Sequence, residues 1–364
     1  MSLKGENEVL NGSTAEAEQI AVQAGLVYVT DTEPGIRRMR VGRGFRYLTP
    51  SNRPLAAARE LKRIASLAIP PAYRDVWIST QPRGHLQATG RDARGRKQYR
   101  YHAHWRTVRD SVKFDRMLSF GEALPRLRRR LKRDLCAPGL TRDKILAMVV
   151  SLLDATRVRI GNAEYARDNK SFGLTTLRKR HVVMGADGTA ALEFRGKGGV
   201  HHEVPIKDPR IVEIIRECMA LPGPHLFQYM SAERRRCRID SGMVNEYLRN
   251  GLGGDFSAKD FRTWGATLMA ITLLSRRALP EKPSERALRH EINEVIKEVA
   301  TRLRNTPAVC RKSYINPAVF DAWRQGRLQA SLHRKLSLSA PRKAEAQVLS
   351  FLRSEARTRF TGSH

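Results

Sequence analysis

The sequence predicts an α+β protein, with a small β-rich N-terminal domain followed by a larger, mainly α-helical domain that carries a β-hairpin. Between residues 24 and 106, short runs of alternating apolar and polar residues are typical of strands. After Trp105 the apolar residues recur at helical spacing instead. Farther along, two strand-like runs flank a glycine-rich segment at residues 195–199, which predicts a hairpin with a glycine-rich tip.

The predicted N-terminal domain covers residues 24–106. Residues 1–23 are acidic and contain few large apolar groups, so we expect them to form a disordered tail. A short helix is predicted at residues 54–65, before the sequence Ile69-Pro70-Pro71. Polar and glycine-containing turns separate the strands, which are predicted at residues 26–29, 42–47, 76–78, 85–89 and 98–102.

The second predicted domain covers residues 107–335 and is mainly helical. Within it, Ile145, Met148 and Leu152 fall on one helical face. The hairpin strands are predicted at residues 189–194 and 202–206. Further helices are predicted at about residues 114–134, 162–169, 208–220, 241–250, 259–275 and 283–304. Residues 336–364 are rich in Lys, Arg and Ser, so we expect a basic and loosely ordered C-terminal tail.

The net charge indicates the class of partner. The 67 Lys and Arg residues exceed the 36 Asp and Glu residues, which gives a net charge of +31, and 41% of the residues are hydrophobic. A folded chain with such a basic surface favours a polyanion as its partner. No run of about 18 apolar residues and no signal peptide is visible, so we expect no membrane partner and a cytoplasmic location.

Several common sites lack support in the sequence. Gly90 and Gly95 have part of the P-loop spacing, but the Gly-Lys-Ser/Thr ending is absent, so ATP binding is not predicted. The four cysteines form no Cys-x-x-Cys pair, and the acidic residues form no close cluster, so we expect no metal site. The pair His201-His202 lies in a predicted strand, and we expect it at the surface.

Tyr314 is a candidate covalent nucleophile for a phosphodiester. It follows Arg311 and Lys312, and Asn305 lies upstream in the same segment. A phenol has a pKa near 10, so it attacks a phosphodiester at neutral pH only where its surroundings favour the phenolate or the developing negative charge. The alternative is a tyrosine that merely closes a helix before Pro317.

Phosphoryl transfer without a metal requires several cations, because negative charge spreads over the non-bridging oxygens in the transition state. Arg159 lies at a predicted junction of loop and helix, and Arg262 lies near a predicted helix start. Two guanidiniums can clamp a phosphate bidentately. Lys197, at the glycine-bounded hairpin tip, could donate a proton to a leaving oxygen. Considered alone, each of these residues could equally be a solvated cation.

In chain order, these residues resemble the type IB DNA topoisomerases of the small bacterial and poxvirus-like kind. The resemblance covers about residues 26–334. It rests on residues 67–78 and 84–99 in the first domain and, in the second, on residues 162–174, Arg159, Lys197, Lys259-Asp260-Phe261-Arg262, Asn305 and Tyr314.

The resemblance implies a role for each of these residues. Tyr314 would form a 3′-phosphotyrosyl bond, Arg159 and Arg262 would stabilise the phosphorane, and Lys197 would be the general acid that expels the 5′-hydroxyl. Asn305 stands where the viral members have His; its amide can donate a hydrogen bond but cannot act as an acid at neutral pH.

The resemblance also implies a C-shaped clamp around double-stranded DNA, with a fold related to that of tyrosine recombinases. Cleavage of one strand, rotation and religation would relax supercoils of either sign. No cofactor would be required, since the covalent bond conserves the phosphodiester energy, although Mg²⁺ would stimulate turnover. The enzyme would act as a monomer in the nucleoid. The DNA-binding residues would be Gln98, Tyr99, Tyr101, Tyr165 and Lys259, and alternation places Tyr99 and Tyr101 on one strand face.

Two other functions remain open from the sequence. A tyrosine recombinase uses the same Arg-Lys-Arg-Tyr chemistry, but recombinases usually carry His-x-x-Arg where this chain has Lys259-Asp260-Phe261-Arg262. Their N-terminal domain is also helical, whereas residues 24–106 are predicted to be β-rich. A non-enzymatic DNA-packaging protein would explain the basic charge, but it would not require Tyr314 or the two arginines.

Overall fold

The computed structural model describes residues 14–233, 235–279, 284–332, 336 and 341–361. The chain divides into two compact units, Met1–Phe114 and Asp115–His364, and the division falls within a long helix, α3 (Ala103–Leu135). The first unit is small and β-rich, and the second is mainly helical. This agrees with the fold class that the sequence predicts.

The first unit is built around an antiparallel sheet. Its strands lie in the order β2-β1-β3-β4-β5. Alternate residues of a strand face the same side, so Val76 and Ile78 of β3 share one face and pack with Ile36, Ala88 and the helix residue Ile64. The elements are α1 (Thr14–Gln23), β1 (Ile36–Val41), β2 (Gly44–Leu48), α2 (Ala58–Ser66), β3 (Arg74–Ile78), β4 (Leu86–Arg91) and β5 (Lys97–Tyr101).

The start of the first unit differs from the sequence prediction. Residues 14–23 form α1 where a disordered tail was expected, and residues 1–13 lie outside the described part of the chain. Ala17 and Ala21 are one helical turn apart and pack with Leu26 against Trp105. These small residues gain their partner from a distant part of the sequence. The predicted strand at 26–29 is reduced to a single parallel bridge between Val27 and Gly84.

The second unit surrounds a buried helical core. Helix α4 is buried along most of its length, which is typical of a helix at the centre of a domain. The helices are α4 (Arg142–Thr156), α5 (Ala163–Asn169), α6 (Pro209–Ala220), α7 (Ser241–Leu252), α8 (Ala258–Leu274), α9 (Glu285–Leu303), α10 (Pro307–Ser313), α11 (Ala318–Arg324), α12 (Arg327–Ser331) and α13 (Pro341–Thr361).

Two small sheets complete the second unit. One is antiparallel in the order β6-β7-β8 and contains the predicted hairpin, in which Arg195 pairs with His201 next to the tip. The other pairs β9 with β10. The strands are β6 (Val182–Met184), β7 (Ala190–Arg195), β8 (His201–Ile206), β9 (Gln228–Met230) and β10 (Arg236–Arg238).

Residues 341–361 form helix α13 where the sequence predicted a loose tail, and residues 337–340 and 362–364 of that predicted tail lie outside the described residues. Val348, Phe351 and Leu352 of α13 are buried. Glu345 accepts a hydrogen bond from Arg128 on α3 at 2.9 Å and one from the indole of Trp264 on α8 at 3.4 Å. The apolar face of α13 therefore belongs to the core of the second unit, although its exposed face is basic.

Candidate active site

Helix α8 holds Arg262 in a buried position. The helix begins after Ser257, whose N–H donates to the carboxylate of Asp260 at 2.8 Å, and this capping fixes the first turn. Arg262 is only 3% exposed. Its guanidinium donates one hydrogen bond to the carbonyl of Arg157 and another, at 3.1 Å, to the carbonyl of Leu303. These carbonyls lie at the C-terminal ends of α4 and α9, where the helix dipoles favour a cation.

The carbonyl of Arg157 is available because α4 ends in a left-handed cap. Arg157 has a φ of 56°, and its N–H donates to Leu153 at 2.9 Å. The Arg157 side chain crosses α8 at Gly265, where a Cβ atom would lie 1.9 Å from the Arg157 Nε. Glycine is therefore required at position 265 for the Arg157 side chain to adopt this arrangement, while the backbone carbonyl of the same residue accepts the hydrogen bond from Arg262.

The same helix fixes the backbone of Tyr314. The N–H of Tyr314 donates to the carbonyl of Cys310 at 3.0 Å, at the end of α10. The hydroxyl of Thr267 donates to the carbonyl of Tyr314 at 3.1 Å and accepts from the N–H of Asn316, also at 3.1 Å. The guanidinium carbon of Arg262 lies 5.0 Å from the centre of the Tyr314 ring. Helix α8 thus positions both the arginine and the tyrosine.

The surroundings of Tyr314 favour its phenolate. Burial by itself raises the pKa of Tyr314, because it disfavours the charged form. The positive charge of Arg262, a hydrogen bond from Arg262 and the charges of Arg159 and Lys259 act in the opposite direction, and the pKa lies below its usual value near 10. Burial also lowers the pKa of Arg262, an effect that the Tyr314 phenolate opposes.

Arg159 reaches the same region from a tight loop after α4. Its carbonyl accepts the N–H of Leu174 at 3.0 Å, and the carbonyl of Ile160 accepts the N–H of Thr175 at 2.7 Å. A Cβ atom at Gly173 would lie 2.6 Å from the Arg159 carbonyl, so the two backbone segments approach closely only because this residue is glycine. We call Arg159, Arg262 and Tyr314 the Tyr314 cluster.

Asn305 offers a hydrogen-bond donor that has no partner in the described part of the chain. It follows the left-handed cap of α9, and its N–H donates to the carbonyl of Ala300 at 2.9 Å. The side-chain oxygen of Asn305 accepts the N–H of Thr306 at 2.9 Å, which leaves the amide nitrogen to donate. That nitrogen is buried and makes no hydrogen bond to the described residues. An unsatisfied buried donor costs free energy, so it is a candidate contact for an anionic ligand.

Lys197 lies apart from these side chains. It is exposed at the hairpin tip, in a short 3₁₀ turn formed by Lys197–Gly199, and Gly198 and Gly199 both have positive φ. The structure thus brings together Arg159, Arg262 and Tyr314. It places Lys197 on the predicted hairpin, without a described contact to the cluster.

His202 corrects one expectation from the sequence. The pair His201-His202 was expected at the surface, but His202 is only 4% exposed, and its ring stacks on Phe194 at 4.8 Å. Burial, and to a lesser extent the charges of Arg304, Arg159 and Arg262, together lower the pKa of His202 to about 4. The ring is therefore neutral at pH 7. Alternation along β8 could have identified its burial, because His202 shares a face with Val204 and Ile206.

The residues expected to bind DNA lie in different environments. Tyr99 and Tyr101 stack on one face of β5 with centroids 6.0 Å apart, which confirms the predicted alternation. The Gln98 amide donates to Asp92 at 2.9 Å, also in the first unit. In the second unit, Lys259 is exposed in the first turn of α8. Tyr165 lies in α5, but its side chain is outside the described residues.

The described residues show neither a candidate metal site nor a candidate membrane-spanning helix. They contain no group of three or more His, Cys, Asp and Glu side chains that could hold a metal ion. Among their helices, none combines the length and apolar character needed to cross a membrane.

Comparison with known proteins identifies the family of the chain. The family model of the eukaryotic DNA topoisomerase I catalytic core matches residues 102–330. The DNA topoisomerase 1B of Acanthamoeba polyphaga mimivirus is 33% identical over 286 residues, which cover 77% of this chain and 85% of that protein. The chain belongs to the type IB DNA topoisomerase family. A model of the bacterial DNA topoisomerase IB N-terminal domain also matches residues 44–92.

More distant type IB relatives agree with this assignment. The DNA topoisomerase 1B of vaccinia virus (strain Copenhagen) is 22% identical over 255 residues, which cover 68% of this chain and 75% of that protein. The DNA topoisomerase I of monkeypox virus matches over the same length and shares. Membership confirms the resemblance seen in the sequence and makes the protein an enzyme that relaxes DNA. It also favours this function over a recombinase or a DNA-packaging protein.

Proposed function

We propose that the enzyme relaxes supercoiled DNA through a 3′-phosphotyrosyl intermediate on Tyr314. The Tyr314 oxygen loses its proton to solvent and forms a bond to a backbone phosphorus. The bond from phosphorus to the 5′-oxygen breaks, and its electron pair stays on that oxygen, which takes a proton from Lys197. After the free 5′ end rotates, the reverse steps reseal the strand. The observation that carries this proposal is the buried Tyr314 beside Arg262, with its pKa below the usual range.

In this reaction Arg262 and Arg159 stabilise the charge on the phosphorane. A guanidinium held by two helix-end carbonyls needs little reorganisation when charge develops, which is the condition for strong electrostatic catalysis. The unpartnered amide nitrogen of Asn305 donates to a non-bridging oxygen. Because an amide does not ionise at neutral pH, Asn305 acts only as a hydrogen-bond donor.

Lys197 acts as the general acid. It approaches the leaving 5′-oxygen when DNA is bound, and the positive-φ glycines on one side of it give the tip the freedom to do so. The reaction needs no nucleotide, because the phosphotyrosyl bond conserves the energy of the phosphodiester. It needs no metal either, and Mg²⁺ accelerates turnover by promoting product release.

Double-stranded DNA is the substrate, and the net charge of +31 supports extensive contact with its phosphates. We propose that both units contact one duplex as a C-shaped clamp around it, with Gln98, Tyr99 and Tyr101 in the major groove and with Tyr165 and Lys259 also in contact with the DNA. We further propose that the enzyme acts as a monomer on DNA in the nucleoid.

Trapping the covalent intermediate tests the proposed function. Wild-type protein should relax both positively and negatively supercoiled plasmid in EDTA without ATP, and denaturation should leave protein attached to the 3′ end of a nick. Tyr314→Phe removes one oxygen and should abolish both results while leaving non-covalent DNA binding intact. A denaturation-resistant adduct formed by Tyr314→Phe, or an absolute requirement for ATP, would refute the proposal.

A further inference from the structure

Arg304 joins the segment before Tyr314 to the hairpin that carries Lys197. It caps α9 with a φ of 49°, a left-handed conformation in which glycine is the least costly residue. Its guanidinium donates to the carbonyl of His201 and, at 2.9 Å, to the carbonyl of Glu203 on β8. A non-glycine residue in this conformation whose side chain bonds to a distant strand suggests a functional constraint.

The two acceptor carbonyls lie on the free edge of the hairpin. In the β6-β7-β8 sheet, β8 is an edge strand, and the carbonyls of residues two apart point the same way. Arg304 therefore takes the place of a neighbouring strand and forks across two outward carbonyls, which a lysine cannot do with the same geometry. The two hydrogen bonds hold the strand on both sides of the buried His202.

The two hydrogen bonds from Arg304 lie close to the hairpin tip. His201 pairs with Arg195 across the hairpin, and the N–H of Gly196 donates to the carbonyl of Val200 at 2.8 Å to close the tip. A Cβ atom at Gly196 would lie 2.6 Å from the His202 ring, so the ring supports the tip backbone from below. Lys197 directly follows Gly196, so the position of the Lys197 backbone depends on where His201 is held.

The residues on either side of Arg304 connect it to the Tyr314 cluster. Leu303 precedes Arg304 and accepts a hydrogen bond from Arg262, while Asn305 follows it with its unpartnered amide. The other strand of the hairpin has an anchor of its own: the carbonyl of Arg195 accepts the N–H of Phe172 at 2.7 Å. The segment after Phe172 is in turn bonded to the loop that contains Arg159, because the N–H of Leu174 donates to the Arg159 carbonyl. Each strand of the hairpin is thus tied to a segment that holds one of the two arginines.

We propose that Arg304 is a positioning residue for Lys197: it fixes the strand next to the hairpin tip, so that Lys197 can approach the leaving oxygen when DNA is bound. This inference rests on the proposed function, because it assumes that Lys197 is the general acid. It assigns Arg304 no contact with the DNA and no part in stabilising the phosphorane.

A substrate with a different leaving atom separates this role from a merely structural one. Cleavage is measured in a single turnover on a DNA duplex that carries either oxygen or sulfur at the 5′-bridging position. A thiolate leaves without a proton, so the sulfur substrate does not need the acid. Arg304→Gly removes the side chain, and glycine favours the observed φ, so the helix cap is retained. Arg304→Lys is a second variant that keeps the charge and loses the fork.

Arg304→Gly should cleave the oxygen substrate roughly 10- to 100-fold more slowly than wild type, the usual effect of a misplaced catalytic group. It should cleave the sulfur substrate at close to the wild-type rate, and Arg304→Lys should show the same pattern with a smaller loss. Combining Arg304→Gly with Lys197→Ala should be no slower on oxygen than Lys197→Ala alone, because both changes affect one step. Arg302→Ala removes an exposed arginine that pairs with Glu298 on the same helix, and it should cleave both substrates normally.

The outcomes distinguish a failure of the Lys197 assignment from a failure of the inference about Arg304. If sulfur restores Lys197→Ala but not Arg304→Gly, Lys197 is the acid, and Arg304 is not its positioning residue. If the rate losses of the two substitutions multiply on the oxygen substrate, the inference about Arg304 also fails while the proposed function stands. If sulfur does not restore Lys197→Ala, the assignment of the acid fails and the inference fails with it.

Discussion

The Tyr314 cluster and the tip of the β7–β8 hairpin both carry cations, but they hold them in opposite ways. Arg262 is buried, and two helix-end carbonyls fix its guanidinium. Lys197 is exposed in a turn with two positive-φ glycines. The difference matches two chemical tasks. A group that stabilises a developing charge works best when it is fixed beforehand, whereas a group that delivers a proton must approach the leaving atom.

Exchanging the two kinds of cation tests this comparison most strongly. Arg262→Lys and Lys197→Arg both conserve net charge, and we expect each to slow single-turnover cleavage by roughly 10²-fold or more. Lysine cannot fork between the two carbonyls that hold Arg262, and an arginine at position 197 would not release its proton at neutral pH. A 5′-bridging sulfur should restore Lys197→Arg but not Arg262→Lys. Restoration of both variants, or of neither, would remove the distinction between the regions.

A smaller effect is expected where α8 holds the Tyr314 backbone. Thr267→Val keeps the shape of the side chain but leaves a buried carbonyl and a buried N–H without their partner, which costs about 1–3 kcal/mol. Because Tyr314 would then be less well fixed, we expect cleavage to slow roughly tenfold and the melting temperature to fall.

Thr272→Val is the matched control on the same helix. The hydroxyl of Thr272 donates at 2.8 Å to Leu268 of its own helix, a carbonyl that already serves the helical ladder. This variant should retain the wild-type cleavage rate. Equal rate losses in Thr267→Val and Thr272→Val would show that α8 only supports the fold and does not position Tyr314.

The sequence predicts α8 and α9 closely, because their apolar spacing and capping residues are local signals. Residues 259–275 were predicted where the structure has Ala258–Leu274, and residues 283–304 where it has Glu285–Leu303. The helices α1 and α13 were missed, because the residues that hold them lie far away in the sequence: Trp105 packs on α1, and Trp264 donates a hydrogen bond to Glu345 of α13. No local pattern reports such a partner.

The candidate site could be predicted in its residue types but not in its supports. Arg159, Arg262 and Tyr314 were selected for their chemistry and their order, and the structure brings them together. The bonds of Arg304 to β8 and of Arg262 to Leu303 connect segments that are distant in the chain, and their acceptors are backbone carbonyls. Because every residue has a carbonyl, the sequence alone does not indicate which one will accept.

The smallest expected effect concerns Lys259, whose positive charge helps to lower the pKa of Tyr314. Cleavage should accelerate as the pH rises toward the Tyr314 pKa, because the proposed nucleophile is the phenolate. Lys259→Ala weakens the stabilisation of the phenolate, so its rate profile should move to higher pH, with a loss of roughly two- to fivefold at pH 7, as expected for an exposed charge worth up to about 1 kcal/mol. The control Lys297→Ala removes an exposed lysine that pairs with Glu294, and it should leave the profile unchanged. An unchanged profile for Lys259→Ala would show that Arg262 and Arg159 set the pKa of Tyr314 without Lys259, and a shift toward lower pH would contradict the expected direction.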